Sequence, residues 1–366
     1  MDVKIRYRNL TVADPAHKRA LLQAVERVLD HGRIILGEEV ARFEDAVARY
    51  CTRAHCVGVN SGTDALYLAL RALEIGPGDE VVTTPMSWVA TANAIALTGA
   101  RPVFADVGAD LNLDPDCAAQ AMTSRTRAIV PVHFTGAMCD MPRFQALAEA
   151  KGVHLVEDAA QAFGSRFDGR PAGGFGVLAC FSMNPMKVLN AYGEAGAVVT
   201  DDPELHAALL RLRYAGTVDK EDCHTPSLNG RIDTVQAAML LVELERLDAK
   251  IARLREIAAR YDAALADVVT CPAAHPQCMH TYYSYTIRTP RRDALRDHLA
   301  AQGVETKIQH PILLPEHTAY RGRVRARIPR AQQYVREILC IPNHEKLTDE
   351  DVDYVVGCVR SFFEGA

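Results

Sequence analysis

Seven short runs of β-branched and apolar residues follow one another between residues 56 and 200, and helical patterns separate most of them. The runs are CVGVN, EVVTTP, RPVFADV, AIVPVHF, VHLVEDA, VLACFSM and GAVVT; GTDALYLALRALEI and WVATANAIALTG are two of the helical patterns. Strands alternating with helices form βαβ units, which build a mainly parallel sheet covered on both faces. The last two runs depart from this rule. The linker from Met183 to the run near Ala197 contains Pro185 and Gly193 and is too short for a helical crossover, which parallel neighbours require. An antiparallel pair is therefore expected, in a mixed sheet of about seven strands, with Lys187 in the connection.

Beyond residue 235 the pattern changes. DTVQAAMLLVELERLDAKIARLREIAARYDAALA is a long amphipathic stretch without Gly or Pro, suited to a helix that links two domains. TYYSYTIR reads as a strand, and RRDALRDHLAAQG as a helix stopped by Gly303. The last helix is capped by Thr348, with Asp349 to Asp351 in its first turn. The expected division is a large domain with an N-terminal arm, residues 1–245, and a small C-terminal α/β domain, residues 246–366.

Composition narrows the partners. A net charge of -5 on 366 residues gives no reason to expect nucleic acid or an anionic membrane. No apolar run approaches the roughly 18 residues of a membrane span, and MDVKIRYRNLTVADPAHKRA has no apolar signal core. A cytoplasmic location is expected. The ten cysteines are scattered without a CxxC, so they read as small buried hydrophobes and no metal site is expected.

Ligands of open α/β sheets sit at the carboxyl ends of the strands, and the chemistry-bearing residues fall there. VNSGTDAL opens a helix at Gly62-Thr63, where free N–H groups suit a phosphate; alone, SGT reads first as a helix cap. TTPMSWVATANAI carries Trp88, the only tryptophan, which is either core or a flat face for an aromatic ligand. HLVEDAAQAFG ends a strand on Glu157-Asp158, and an acid there needs a cation or several hydrogen bonds; capping the AAQAFG turn is the alternative. FGSRFDGRPAGGFG reads as a Gly-rich surface loop. In ACFSMNPMKVLNAYGEAGAVVT, Lys187 stands among apolar residues, where an unpartnered ammonium is costly. By itself it is equally a lysine in a turn. Together the set fits pyridoxal phosphate, which needs a lysine for a Schiff base, a carboxylate for its ring nitrogen, an aromatic face and donors for its phosphate.

The chain resembles the DegT/DnrJ/EryC1/StrS family of pyridoxal-phosphate-dependent sugar aminotransferases over nearly its whole length. The resemblance is carried by LGEEVARFEDAVARY, the block from VGVNSGTDAL through GPGDEVVTTPMSWVATANAIALTGARPVFADV, VHLVEDAAQAFG, CFSMNPMK, GEAGAVVT, NGRIDTVQAA and CIPNHEKLTDEDV. It implies the type I aminotransferase fold. It also implies that Lys187 forms the internal aldimine, Asp158 pairs with the pyridine nitrogen and Trp88 stacks on the ring. Gln161 then hydrogen-bonds the ring hydroxyl, while Gly62, Thr63 and Ser182 hold the phosphate. Asn229 reaches the phosphate of a neighbouring subunit, so a homodimer with shared active sites is implied. The implied reaction moves an amino group from L-glutamate to a keto or aldehydo sugar, most often nucleotide-linked, by ping-pong chemistry.

Two departures lie where the acceptor is contacted. Gly230 replaces an aromatic common in relatives between Asn229 and Arg231, and Gln309-His310-Pro311 stands where they often read H-Y-P. Arg231 and His310 are the substrate-contact candidates. The alternatives are a transaminase of an unlinked acceptor (an inosose, a sugar acid or a small phosphate), a sugar dehydratase, or a binding module that has lost its chemistry; the last is opposed by the presence of both Lys187 and Asp158.

Overall fold

The computed structural model of the chain describes residues 3–219 and 221–365. Its main sheet contains the seven runs as β1 (His55–Val59), β2 (Glu80–Thr83), β3 (Arg101–Ala105), β4 (Thr126–Val130), β5 (His154–Asp158), β6 (Leu178–Ser182) and β7 (Gly196–Thr200). A smaller antiparallel pair is formed by β8 (Tyr285–Arg288) and β10 (Ile338–Ile341), while β9 (Arg325–Arg327) joins the main sheet as an eighth, edge strand. The order across the main sheet is β1-β7-β6-β5-β4-β2-β3-β9. β7 is antiparallel to both β1 and β6, and every other pairing is parallel. The mixed sheet and the antiparallel β6–β7 pair are as the linker length requires. The edge strand was not legible: Arg325–Arg327 is short and exposed, and only its partner β3 makes it a strand.

Alternation along the strands divides the core. Cys56, Val82, Ile129, Leu155, Ala179 and Val199 face one side and pack with Phe43, Phe144 and Leu240 from the helices covering it. Val57, Val81, Ala128, Val156, Leu178 and Val198 face the other side, against Leu66, Ile95 and Leu209. That two-sided burial is why the runs read as continuous apolar strands. A 32-residue helix, Thr234–Leu265, then supplies Leu247, Ile251 and Leu254 to the first core and Ile257, Tyr261 and Leu265 to a third, which holds β8, β10 and the last helix, Asp349–Glu364. The last helix starts with a capping box between Thr348 and Asp351.

Two expectations change. The segment 163–176 is not a surface loop. Ser165, Phe167, Ala172 and Phe175 are buried, because the loop turns its N–H groups inward onto Glu157. TYYSYTIR is a strand only over Tyr285–Arg288. Its first half bends away, with Tyr282 at φ 52°, and runs past Lys187 instead of pairing.

Candidate active site

β5 ends on two carboxylates with opposite fates, because consecutive strand residues face opposite sides of a sheet. Glu157 is fully buried and accepts four hydrogen bonds, from the N–H groups of Gly173 (2.9 Å), Phe175 (2.7 Å) and Gly176 (2.7 Å) and from His133 Nε2 at 3.1 Å. Burial raises its carboxyl, but His133 and the loop N–H groups outweigh it and leave it below the usual range. Among the described residues Asp158 accepts only from the Thr91 hydroxyl (2.8 Å) and the Ala160 N–H (3.2 Å). Burial pushes its carboxyl up, against those two bonds and the charges of Lys187 and His133. Glu157 thus holds a loop, while Asp158 is an undersatisfied buried acid.

Next to β5 in the sheet, β6 ends at Ser182, which packs against the start of the helix Gly62–Ala72. That helix is capped by the Ser61 hydroxyl, which accepts the Asp64 N–H at 3.0 Å. The cap and the cradle readings of SGT are therefore compatible: Ser61 caps, and Gly62 and Thr63 form the first turn, where N–H groups have no helical partner. A Cβ on Gly62 would lie 2.5 Å from Ser182 Cβ, so only glycine lets helix and strand end meet.

Lys187 sits in the β6–β7 connection, in a tight turn closed by its own N–H to Asn184 O at 2.8 Å. The connection is fastened to the long helix: Lys250 Nζ donates to Asn190 Oδ1 (2.8 Å), the Tyr192 hydroxyl to Glu243 (2.6 Å), and the Tyr192 N–H to Gln236 (3.0 Å). Lys187 Nζ lies 4.9 Å over the Tyr283 ring. It also lowers the Asp158 and His310 titrations through its charge, which ties the three residues to one site.

Gln161 is buried; its Oε1 accepts from the Thr135 N–H (2.9 Å) and Gln309 Nε2 (3.1 Å), which leaves its own amide donors for a ligand. Trp88 is 62% exposed, so it is not core; it tilts against the His310 ring at 5.9 Å. His310 has φ 53°, and its buried Nε2 has no partner among the described residues. Burial, then the charges of Lys187, Lys307 and His317, pushes its imidazole down to about 3. Asn229 is exposed and accepts from Arg231 Nε at 2.8 Å; this segment lies beside β1, with Gly230 O accepting the Asn60 N–H. Three contacts had no signal in the sequence: Thr91 on Asp158, Tyr283 under Lys187, and Gln309 on Gln161. Each pairs residues dozens of positions apart, and only folding brings them together.

This donor set matches what pyridoxal phosphate needs. A buried acid without a hydrogen-bonded cation among the described residues suits a ring N–H⁺, and a helix start open only to glycine suits a phosphate.

The profile of the DegT/DnrJ/EryC1/StrS aminotransferase family matches residues 15–360. The chain is 40% identical to dTDP-3-amino-3,4,6-trideoxy-alpha-D-glucose transaminase of Streptomyces venezuelae, over 100% of this chain and 96% of that one. Among solved structures it is similar to S. venezuelae DesV in complex with a ketimine intermediate, with a TM-score of 0.95, 40% identity and 99% of each chain covered. It is also similar to NtdA from Bacillus subtilis with the cofactor PMP bound, with a TM-score of 0.90, 26% identity, and 96% of this chain and 83% of that one covered.

Proposed function

This chain belongs to the DegT/DnrJ/EryC1/StrS aminotransferase family and is a pyridoxal-phosphate-dependent aminotransferase; we propose that it moves the amino group of L-glutamate to a keto sugar carried on a nucleotide. The observation that carries the site assignment is Asp158, a buried carboxylate with two neutral donors that also feels the charge of Lys187.

In this reading Lys187 Nζ would hold the cofactor and, when free of it, would serve as the acid/base that carries a proton. Bound pyridoxal phosphate supplies the electron sink that makes that proton removable. Asp158, which accepts from the Thr91 hydroxyl, would hold the proton on the ring nitrogen. Gln161 would offer its amide donors to the ring hydroxyl, since Thr135 and Gln309 occupy its oxygen. Gly62, Thr63 and Ser182 would hold the phosphate, and Trp88 would offer its face to the ring. Exposed Asn229 reaches the phosphate held by a second copy of the chain, so the working unit is a homodimer with shared sites. Arg231 and His310 contact the acceptor, whose nucleotide linkage is supported by the dTDP-sugar transaminase relative.

The same proposal divides the chain into a cofactor-binding unit, residues 1–245, and a smaller unit, residues 246–366. The long helix passes from one core to the next between Leu254 and Ile257, which supports a two-unit division with that helix as the link. It also places the enzyme in the cytoplasm. All ten cysteines are free, and no helix among the described residues is long and apolar enough to cross a membrane.

The test is a half-reaction followed by visible absorbance. L-Glutamate converts the holoenzyme to its pyridoxamine form, the donor is removed, and keto acceptors are added singly. Return of the original band with a nucleotide-linked keto sugar supports the proposal. Return only with unlinked acceptors rejects the nucleotide. Lys187→Ala is expected to stay folded without turnover, and normal turnover in that variant would sink the site assignment.

A further inference from the structure

A cavity of about 630 Å³ opens beside Lys187, walled by the N-terminal arm, the β6–β7 connection, the middle of the long helix and the segment after β10. Arg8 enters it from the arm. Its two terminal nitrogens donate to the backbone oxygens of Asn343 and Tyr283, its Nε has no partner, and no carboxylate pairs with it among the described residues. A guanidinium held by neutral carbonyls, in a chain of net charge -5, is a cation awaiting an anion.

The carboxylates lining the cavity are engaged elsewhere or exposed. Asp14 faces Arg246 at 3.6 Å, Glu243 bonds His17 at 2.6 Å, Glu345 lies 3.6 Å from Lys346, and Glu245 is exposed. Lys250 lines the same cavity and faces Glu345 and Glu243 as well as Arg8, while burial holds the His344 imidazole down, toward its neutral form. His344 Nδ1 on the cavity wall, and Asn343 Oδ1 next to it in the chain, are buried without partners among the described residues.

Arg8 and Lys187 share one ring. Arg8 lies 5.1 Å from the Tyr283 centroid and Lys187 Nζ lies 4.9 Å from it, so the two cations are at most about 10 Å apart. An amino acid whose nitrogen takes over from Lys187 Nζ carries its carboxylates within a few ångströms of that nitrogen. The fixed, planar fork of an arginine suits a planar carboxylate better than the point charge of a lysine does.

We propose that Arg8 anchors a carboxylate of the amino donor, making the N-terminal arm a wall of the donor site. This rests on the aminotransferase reading with L-glutamate as donor. The arm does not depend on Arg8 for its place: Lys4 and Ile5 N–H groups bond Gly303 O, the Ile5 side chain is buried in the third core, and the Tyr7 N–H bonds Glu305.

The experiment uses holoenzyme with Arg8→Gln and Arg8→Lys, following each half-reaction separately by absorbance. For Arg8→Gln, the half-saturating L-glutamate concentration is expected to rise about 10- to 100-fold, the range given by losing one charged hydrogen bond. Arg8→Lys recovers part of the loss, and the acceptor half-reaction is unchanged in both. Binding of 2-oxoglutarate to the pyridoxamine form, read by calorimetry, weakens in parallel. Unchanged glutamate saturation overturns the proposal, as does a loss confined to the acceptor or equal in both half-reactions. If the wild-type enzyme is itself inert to L-glutamate, the donor reading falls and takes this proposal with it.

Discussion

Glu157 and Asp158 are adjacent in sequence and both buried, yet Glu157 accepts four hydrogen bonds and Asp158 accepts two. The strand pleat sends one into the core beneath the loop 163–176 and the other toward Lys187. One carboxylate is spent on structure, and the other is left with two neutral donors among the described residues.

Asp158→Asn is expected to raise the melting temperature of the cofactor-free protein while lowering turnover by about 100-fold or more. Its folded pKa lies above the unfolded one, so the ionised form costs stability at neutral pH, and that cost fades as pH falls through the raised value. Thermal melts at pH 7 and pH 4 check the sign. A variant less stable than wild type at pH 7 would contradict it.

Glu157→Gln is expected to destabilise by about 3–5 kcal/mol, the scale for breaking a buried ionic cluster. The folded pKa is lowered here, so the stabilisation is present above the ordinary glutamate range and is lost as pH falls through the lowered value. Denaturant melts of both proteins should therefore converge in acid. Parallel stability curves down to pH 3 would show that Glu157 contributes no linkage.

Gly62→Ala forces a Cβ to within 2.5 Å of Ser182 Cβ, and neither side can yield without moving backbone. A loss of about 1–3 kcal/mol in stability is expected, with cofactor affinity falling about tenfold or more. Titration of the cofactor-free variant with pyridoxal phosphate measures the second effect. Wild-type affinity would remove Gly62 from the phosphate site.

His310, pushed down to about 3, is neutral throughout the physiological range. In the proposed site its contact with the acceptor would therefore be a neutral hydrogen bond. The acceptor half-reaction should show no inflection from it between about pH 5 and 8. His310→Leu should raise half-saturating acceptor about tenfold and leave the glutamate half-reaction alone. An equal effect on both half-reactions would assign His310 to the cofactor instead.

Local pattern and length were enough to read the strands, the antiparallel β6–β7 pair and the final capped helix, because each depends on residues close in the chain. The order of chemistry-bearing residues along it also suggested one cofactor. The Gly-rich segment misled, since glycine signals turns without saying which way their N–H groups point; here they point inward, to Glu157. TYYSYTIR misled because its alternation continues through the bend at Tyr282.

The sequence alone, then, determined the fold class and marked Lys187 and Asp158 as candidates, since periodicity and strand-end position are local properties. Tertiary structure decided which of two neighbouring carboxylates faces Lys187, that Trp88 is exposed, and that Arg8 shares the Tyr283 ring with Lys187. Those facts depend on the side of the sheet a residue faces and on contacts between distant segments, which chain order does not encode.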